Sequence, residues 1–212
     1  MRRTLVVAML TALLSLQGTP VQSEPSERTR YESTWINAFW YSRERVDRDT
    51  YRRITWYAGA YDSGTEGGFW SDLYRSVLEC EKREGRDRCH YVRRLSWYGD
   101  THRGTFTIDR KLMTSHLEVS YRVYGYSHGE QELVGRFHVV TDATGVGGLA
   151  HGRSSYTYHL GCISYTYSGK WASRQASATG SLALGDEEAR SLGETDDAAL
   201  GRSEDVSIQH DC

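Results

Sequence analysis

Proline is nearly missing from this chain, at 2 of 212 residues, and lysine is scarce, at 3 against 23 arginines. So little proline, with 21 glycines in no G-X-Y period, excludes collagen and polyproline architectures. The mature region has no apolar run of 18 residues, so a helical membrane span is not expected there. HExxH, the Walker lysine and CxxC spacing are all absent, which removes the sequence signatures of zincins, P-loop enzymes and zinc ribbons. Helix-period patterns are almost lacking as well. The arginine bias is what GC-rich coding produces and points to a bacterial source.

The N-terminus reads as an address. Arg2 and Arg3 precede an apolar stretch over 5–16, then Gly18 and Pro20 break it, and small residues at Val21 and Ser23 fit a cleavage site before Glu24. Residues 1–23 are therefore expected to be a secretory signal peptide, leaving an extracellular protein of 189 residues. The stretch is too short to span a bilayer, so no integral membrane association is expected.

Charge is unevenly distributed. Residues 185–212 carry nine acids against Arg190 and Arg202, a net charge of −7, whereas 24–184 come to +3. The last aromatic is Trp171. These features predict one all-β domain over 24–184 followed by an acidic, mostly irregular C-terminal tail over 185–212, with a short helix near 186–192. A weakly basic body with an acidic tail is not the electrostatic footprint of a nucleic-acid binder.

Export makes the cysteines informative. Cys80, Cys89, Cys162 and Cys212 are an even set in an oxidising destination, so two disulfides are expected. Placing Cys80 opposite Cys89 in a hairpin puts the turn on Glu84 and Gly85. It also sets Glu81 against Arg88, Lys82 against Asp87, Val77 against Val92 and Leu78 against Tyr91. The same register opposes Arg75 to Arg94, a repulsion that a bulge or solvent must relieve. Elimination then pairs Cys162 with Cys212.

Strand signals recur at 31–45, 51–61, 69–80, 89–98, 104–110, 116–126, 132–141, 148–160, 162–167 and 171–184, with turn signals between them. This spacing predicts an antiparallel meandering β-barrel or β-sandwich of about 8–10 strands. Alternation assigns Trp70, Tyr74, Leu78, Tyr91, Leu95 and Trp97 to one core face, and Leu117, Val119, Tyr121 and Val123 to another. The segments RRITWY at 52–57 and RRLSWY at 93–98 resemble each other and suggest a duplicated hairpin or a coincidence of similar strands.

Chemistry is thinly marked. The eight histidines are scattered, with His116, His138 and His151 the best candidates for a metal site, and 62–66 carries oxygen ligands on an ordinary turn. The glycines of 145–148 read as a hairpin connection rather than a phosphate loop. No catalytic residue, metal or cofactor is assigned. What stands out is aromatic content: Trp35, Trp40, Trp56, Tyr57, Trp97 and Tyr98 cannot all point inward if strands alternate. Flat rings beside Arg and Asp suit sugars or proteins. The expected role is non-catalytic binding of a ligand outside the cell, a glycan or an envelope component. The rivals are a secreted hydrolase with a carboxylate active site and an outer-membrane β-barrel, the latter disfavoured because Arg52, Arg53, Arg93 and Arg94 interrupt the segments.

Overall fold

The computed structural model describes residues 27–64, 68–101, 103–127 and 130–210. The expected signal peptide, Cys212 and therefore the Cys162–Cys212 bridge, and part of the 62–66 loop lie outside them. The chain is built of antiparallel strands: β1 (Glu27–Arg45), β2 (Thr50–Asp62), β3 (Phe69–Arg83), β4 (Arg86–Tyr91), β5 (Trp97–Thr101), β6 (Gly104–Ile108), β7 (Thr114–Ser127), β8 (Glu130–Gly145), β9 (Ala150–Leu160), β10 (Ile163–Leu184) and β11 (Arg190–His210). Pairing runs β1–β2–β3–β5–β7–β8–β10–β11 and returns to β1, so the hydrogen-bonded circuit closes on itself. It is uneven, since β5 and β7 share one paired position, Tyr98 opposite Tyr124. β4, β6 and β9 hang from β3, β7 and β10 outside the circuit.

Alternation fills the interior. Ile36, Ala38 and Trp40 of β1 meet Ala60, Ala58 and Trp56 of β2, and these are continued by Leu73 and Val77 of β3. The expected face of β7 is the observed one, with Leu117, Val119, Tyr121 and Val123 all at most 1% exposed. The Tyr121 hydroxyl inside is satisfied: it lies 2.6 Å from Ser71 Oγ, which donates to the Gly59 carbonyl at 2.6 Å.

The Cys80–Cys89 hairpin has the expected register, from Leu78 opposite Tyr91 to Arg83 opposite Arg86, and the disulfide is formed. Glu84 and Gly85 both take positive φ, the backbone that a two-residue turn matched to strand twist requires. Beyond Tyr91 the expected strand over 89–98 is interrupted by a 3-10 turn at Arg93–Leu95. Strand pairing resumes with Arg75 opposite Trp97, so the Arg75–Arg94 repulsion never arises.

Three further expectations are corrected. On β3 the buried residues are Ser71, Leu73, Val77 and Cys80, whereas Trp70 is 42% and Tyr91 56% exposed, so the face assigned to β3 and β4 was the wrong one, although Trp97 of the same set does pack against the core. Aliphatic and small side chains fit the confined interior and the large rings flank it. The expected strands over 162–167 and 171–184 are one strand, β10, which begins at Ile163.

The acidic segment, finally, is neither irregular nor helical: residues 190–210 form β11, paired with β10 on one side and β1 on the other. Its inward positions are small or aliphatic, with Ala198 and Leu200 buried. Its acids meet partners, Asp197 accepting from the Tyr41 hydroxyl at 2.5 Å, Glu194 from Ser177 at 2.8 Å and Glu204 from Arg30 at 3.2 Å.

Because β11 supplies the pairing of two strand edges, truncation after Gly185 is expected to abolish cooperative thermal unfolding and to drive aggregation. A solubility appendage would leave the circular-dichroism melt unchanged.

Candidate ligand pocket

Three of the six aromatic residues singled out from the sequence converge. Trp40 of β1, Trp56 of β2 and Trp97 of β5 line a cavity of about 520 Å³ at the end of the circuit bounded by the β10–β11 turn. Trp56 and Trp97 meet edge to face with centroids 6.0 Å apart, and Trp97 lies 5.6 Å from Phe137 of β8. Ile54, Leu182, Leu184 and Leu192 complete the apolar wall, and Glu44, Glu187, Glu188 and Arg190 also line the cavity.

Trp40 reaches its place because β10 and β11 withdraw. A Cβ on Gly180 would stand 2.6 Å from the Trp40 ring, and the indole nitrogen donates to the Gly193 carbonyl at 3.2 Å. The resemblance between 52–57 and 93–98 acquires a partial meaning here. Its two tryptophans share the cavity, but the second copy straddles the 3-10 turn, so a duplicated hairpin is not what the backbone forms.

Arg75 is the cation set against the indoles of the pocket. Its guanidinium sits 4.7 Å from the Trp97 ring centre and 5.6 Å from that of Trp56, within cation–π range. Nη1 donates to the Leu95 carbonyl at 2.5 Å, a group that the 3-10 turn aims at it. Burial lowers the Arg75 pKa from its ordinary value, Glu44 opposes that shift and Arg52 adds to it; the group nevertheless stays charged. One of its five N–H donors is engaged on Leu95, and among the described residues no other hydrogen bond is formed, which leaves donors for an acceptor in the cavity. Sequence reasoning missed this residue because it placed Arg75 opposite Arg94 rather than between two indoles.

The other three aromatics lie on the outer face. Trp35 packs over Gly201, Tyr57 stacks on Tyr74 at 4.7 Å and donates to Asn37 Oδ1 at 2.6 Å, and Tyr98 donates to Asp100 Oδ2 at 2.9 Å. Burial and the nearby Asp72 push the Tyr57 hydroxyl up to about 12. Register sets Phe39, Tyr57, Tyr74, Tyr98 and Tyr124 side by side on five neighbouring strands. Next to this row Asp72 and Asp100 are direct partners on β3 and β5, and the Asp72 carboxyl is held above its ordinary pKa by burial first and by Asp100 second.

His116 and His138 do approach each other, through Glu118, at 3.7 Å and 3.4 Å, while His116 bonds Asp142 at 2.7 Å. His151 lies on β9, apart from them, and no group of three or more metal-ligating side chains is assembled among the described residues.

No family model matches the chain and no curated protein matches it. Among solved structures it has a faint likeness to the enduracididine biosynthesis enzyme MppR. For the complex with the condensation product of pyruvate and imidazole 4-carboxaldehyde, identity is 8%, coverage is 90% of each chain and the TM-score is 0.21. For the form with HEPES buffer bound, identity is 8%, coverage is 91% of this chain and 89% of that one, and the TM-score is 0.22. A likeness at that level carries no argument about this chain.

The raised carboxyl makes a pH prediction. A folded-state pKa above the unfolded one favours folding below the unfolded value and loses that benefit as pH rises through the folded value. Asp72→Asn is therefore expected to raise the melting temperature at pH 7, with the difference vanishing near pH 3. An unchanged or lowered Tm at pH 7 contradicts the assignment.

Proposed function

We propose that this protein is an exported, disulfide-stabilised β-domain that binds a small amphipathic molecule without transforming it. The ligand's flat apolar body lies against Trp40, Trp56 and Trp97, and a hydrogen-bond acceptor on it, a carboxylate or carbonyl, meets Arg75. The observation that carries this reading is the convergence of three indoles and one desolvated guanidinium on a single open concavity. A polar rim of three carboxylates around an apolar floor keeps the mouth wetted.

The two rivals fare differently. An outer-membrane barrel needs an apolar outer band, yet Asp72, Glu118, Arg122, Arg136 and Asp142 point outward while the interior is apolar, and this speaks against it. A carboxylate hydrolase has one observation in its favour, the facing Asp72 and Asp100 beside the outer tyrosine row.

Titrating fatty acids and aromatic carboxylates while following tryptophan fluorescence tests the binding reading. Saturable quenching is expected, weakened roughly tenfold or more in Arg75→Met, the loss that goes with a charge-assisted hydrogen bond. Absence of saturation across the series, or an unaltered Arg75→Met curve, overturns it. Turnover of chromogenic glycosides that Asp72→Asn abolishes would favour the hydrolase instead.

Export and the second bridge belong to the same proposal. The β10–β11 register runs to Ser164 opposite His210, so the last described residue lies beside a position two residues after Cys162. Protein recovered from culture medium is expected to begin at Glu24, and peptide mass mapping to find Cys162 linked to Cys212. A cell-retained chain or a different linkage refutes that part.

A further inference from the structure

A second concavity, of about 850 Å³, lies on the outer face against β7 and β8 and takes in Arg103, Arg122 and Arg136. Arg122 and Arg136 stand directly opposite each other in the β7–β8 register. Like charges at such positions destabilise a sheet unless something neutralises them. The three guanidiniums have no hydrogen-bond or ion-pair partner among the described residues. The same concavity also holds Glu118 and Asp100, each with a partner of its own: Glu118 lies 3.7 Å from His116 and 3.4 Å from His138, itself a lining residue, and Asp100 accepts from Tyr98 at 2.9 Å, so the three guanidiniums outnumber the carboxylates by one.

Three arginine forks in one concavity, without partners among the described residues and two of them placed at a cost to the sheet, form a site that an oxyanion completes, since planar guanidinium matches phosphate and sulfate oxygens two at a time. We propose that this concavity binds a phosphate or sulfate ester group. The space far exceeds a bare oxyanion, so the group is carried by a larger molecule whose remainder occupies the rest of the groove. This site is independent of the tryptophan pocket, with which it shares no lining residue.

The test uses the full mature chain and three salts at matched ionic strength: inorganic phosphate, inorganic sulfate and chloride. Expected is a saturable rise in melting temperature with phosphate, sulfate or both that chloride does not reproduce; the more effective anion names the ester, and equal effects support the site for both. In Arg136→Ala the rise is expected to weaken roughly tenfold or more, while the chloride Tm stays level or increases because a like-charge pair has been relieved. Arg86→Ala, on the distant β3–β4 turn, should keep the full response. An equal rise in chloride, a retained response in Arg136→Ala, a lost one in Arg86→Ala, or a lower chloride Tm in Arg136→Ala overturns the proposal.

Discussion

The structure depends on a single backbone requirement: the hydrogen-bonding groups along one edge of β1 and one edge of β10 must be paired, and β11 pairs both. Without it the chain would be an open, strongly curved sheet with two long bare edges. With it the sheet closes and an inside exists. The tryptophan pocket is a consequence of that closure, because its walls are drawn from strands at both ends of the chain, β1 to β3 on one side and β10 and β11 on the other.

Closure also sets a volume problem that residue size solves. β1 and β2 bring indoles and isoleucines inward, and β10 and β11 answer with Ala172, Ala176, Ala178, Gly180 and Ala198. Close-packed interiors tolerate neither gap nor overlap, so large rings on one wall demand small groups on the other. The same economy explains the tail's composition. An edge-covering strand that faces a crowded interior has no room for aromatics. Its outward positions, free of packing, carry acids that meet Tyr41, Ser177 and Arg30.

Legibility followed the strength of local pattern. The β3–β4 register was readable because cysteine geometry and two opposite-charge pairs converged on one alignment, and the β7 face because its alternation was clean. β11 was not readable, since its inward residues are alanine and leucine among many acids, and a composition-based eye sees only charge. The face of β3 was misjudged for the opposite reason: aromatic residues were credited with the core when Leu73, Val77 and Ser71 fill it. Half of the candidate aromatics reached one site. The arginine that gives that site its polarity was hidden, because its surroundings depend on a 3-10 turn twenty residues away that no propensity announced.

Inside and outside thus follow different electrostatic rules. Near its mouth the interior tolerates a charged group, Arg75, held by two indoles, a carbonyl and the nearby Glu44. The outer face instead sets like beside like, Asp72 against Asp100 and Arg122 against Arg136, at positions where either pair could have been made neutral by one substitution. Solvent screening makes such arrangements cheap without making them favourable. The two pairs adjoin, because Asp100 and Glu118 line the same concavity as Arg122 and Arg136. An anionic group is therefore drawn to the arginine side of that concavity and turned away from its carboxylates, which gives a charged ligand a defined orientation on the sheet before any short-range contact is made.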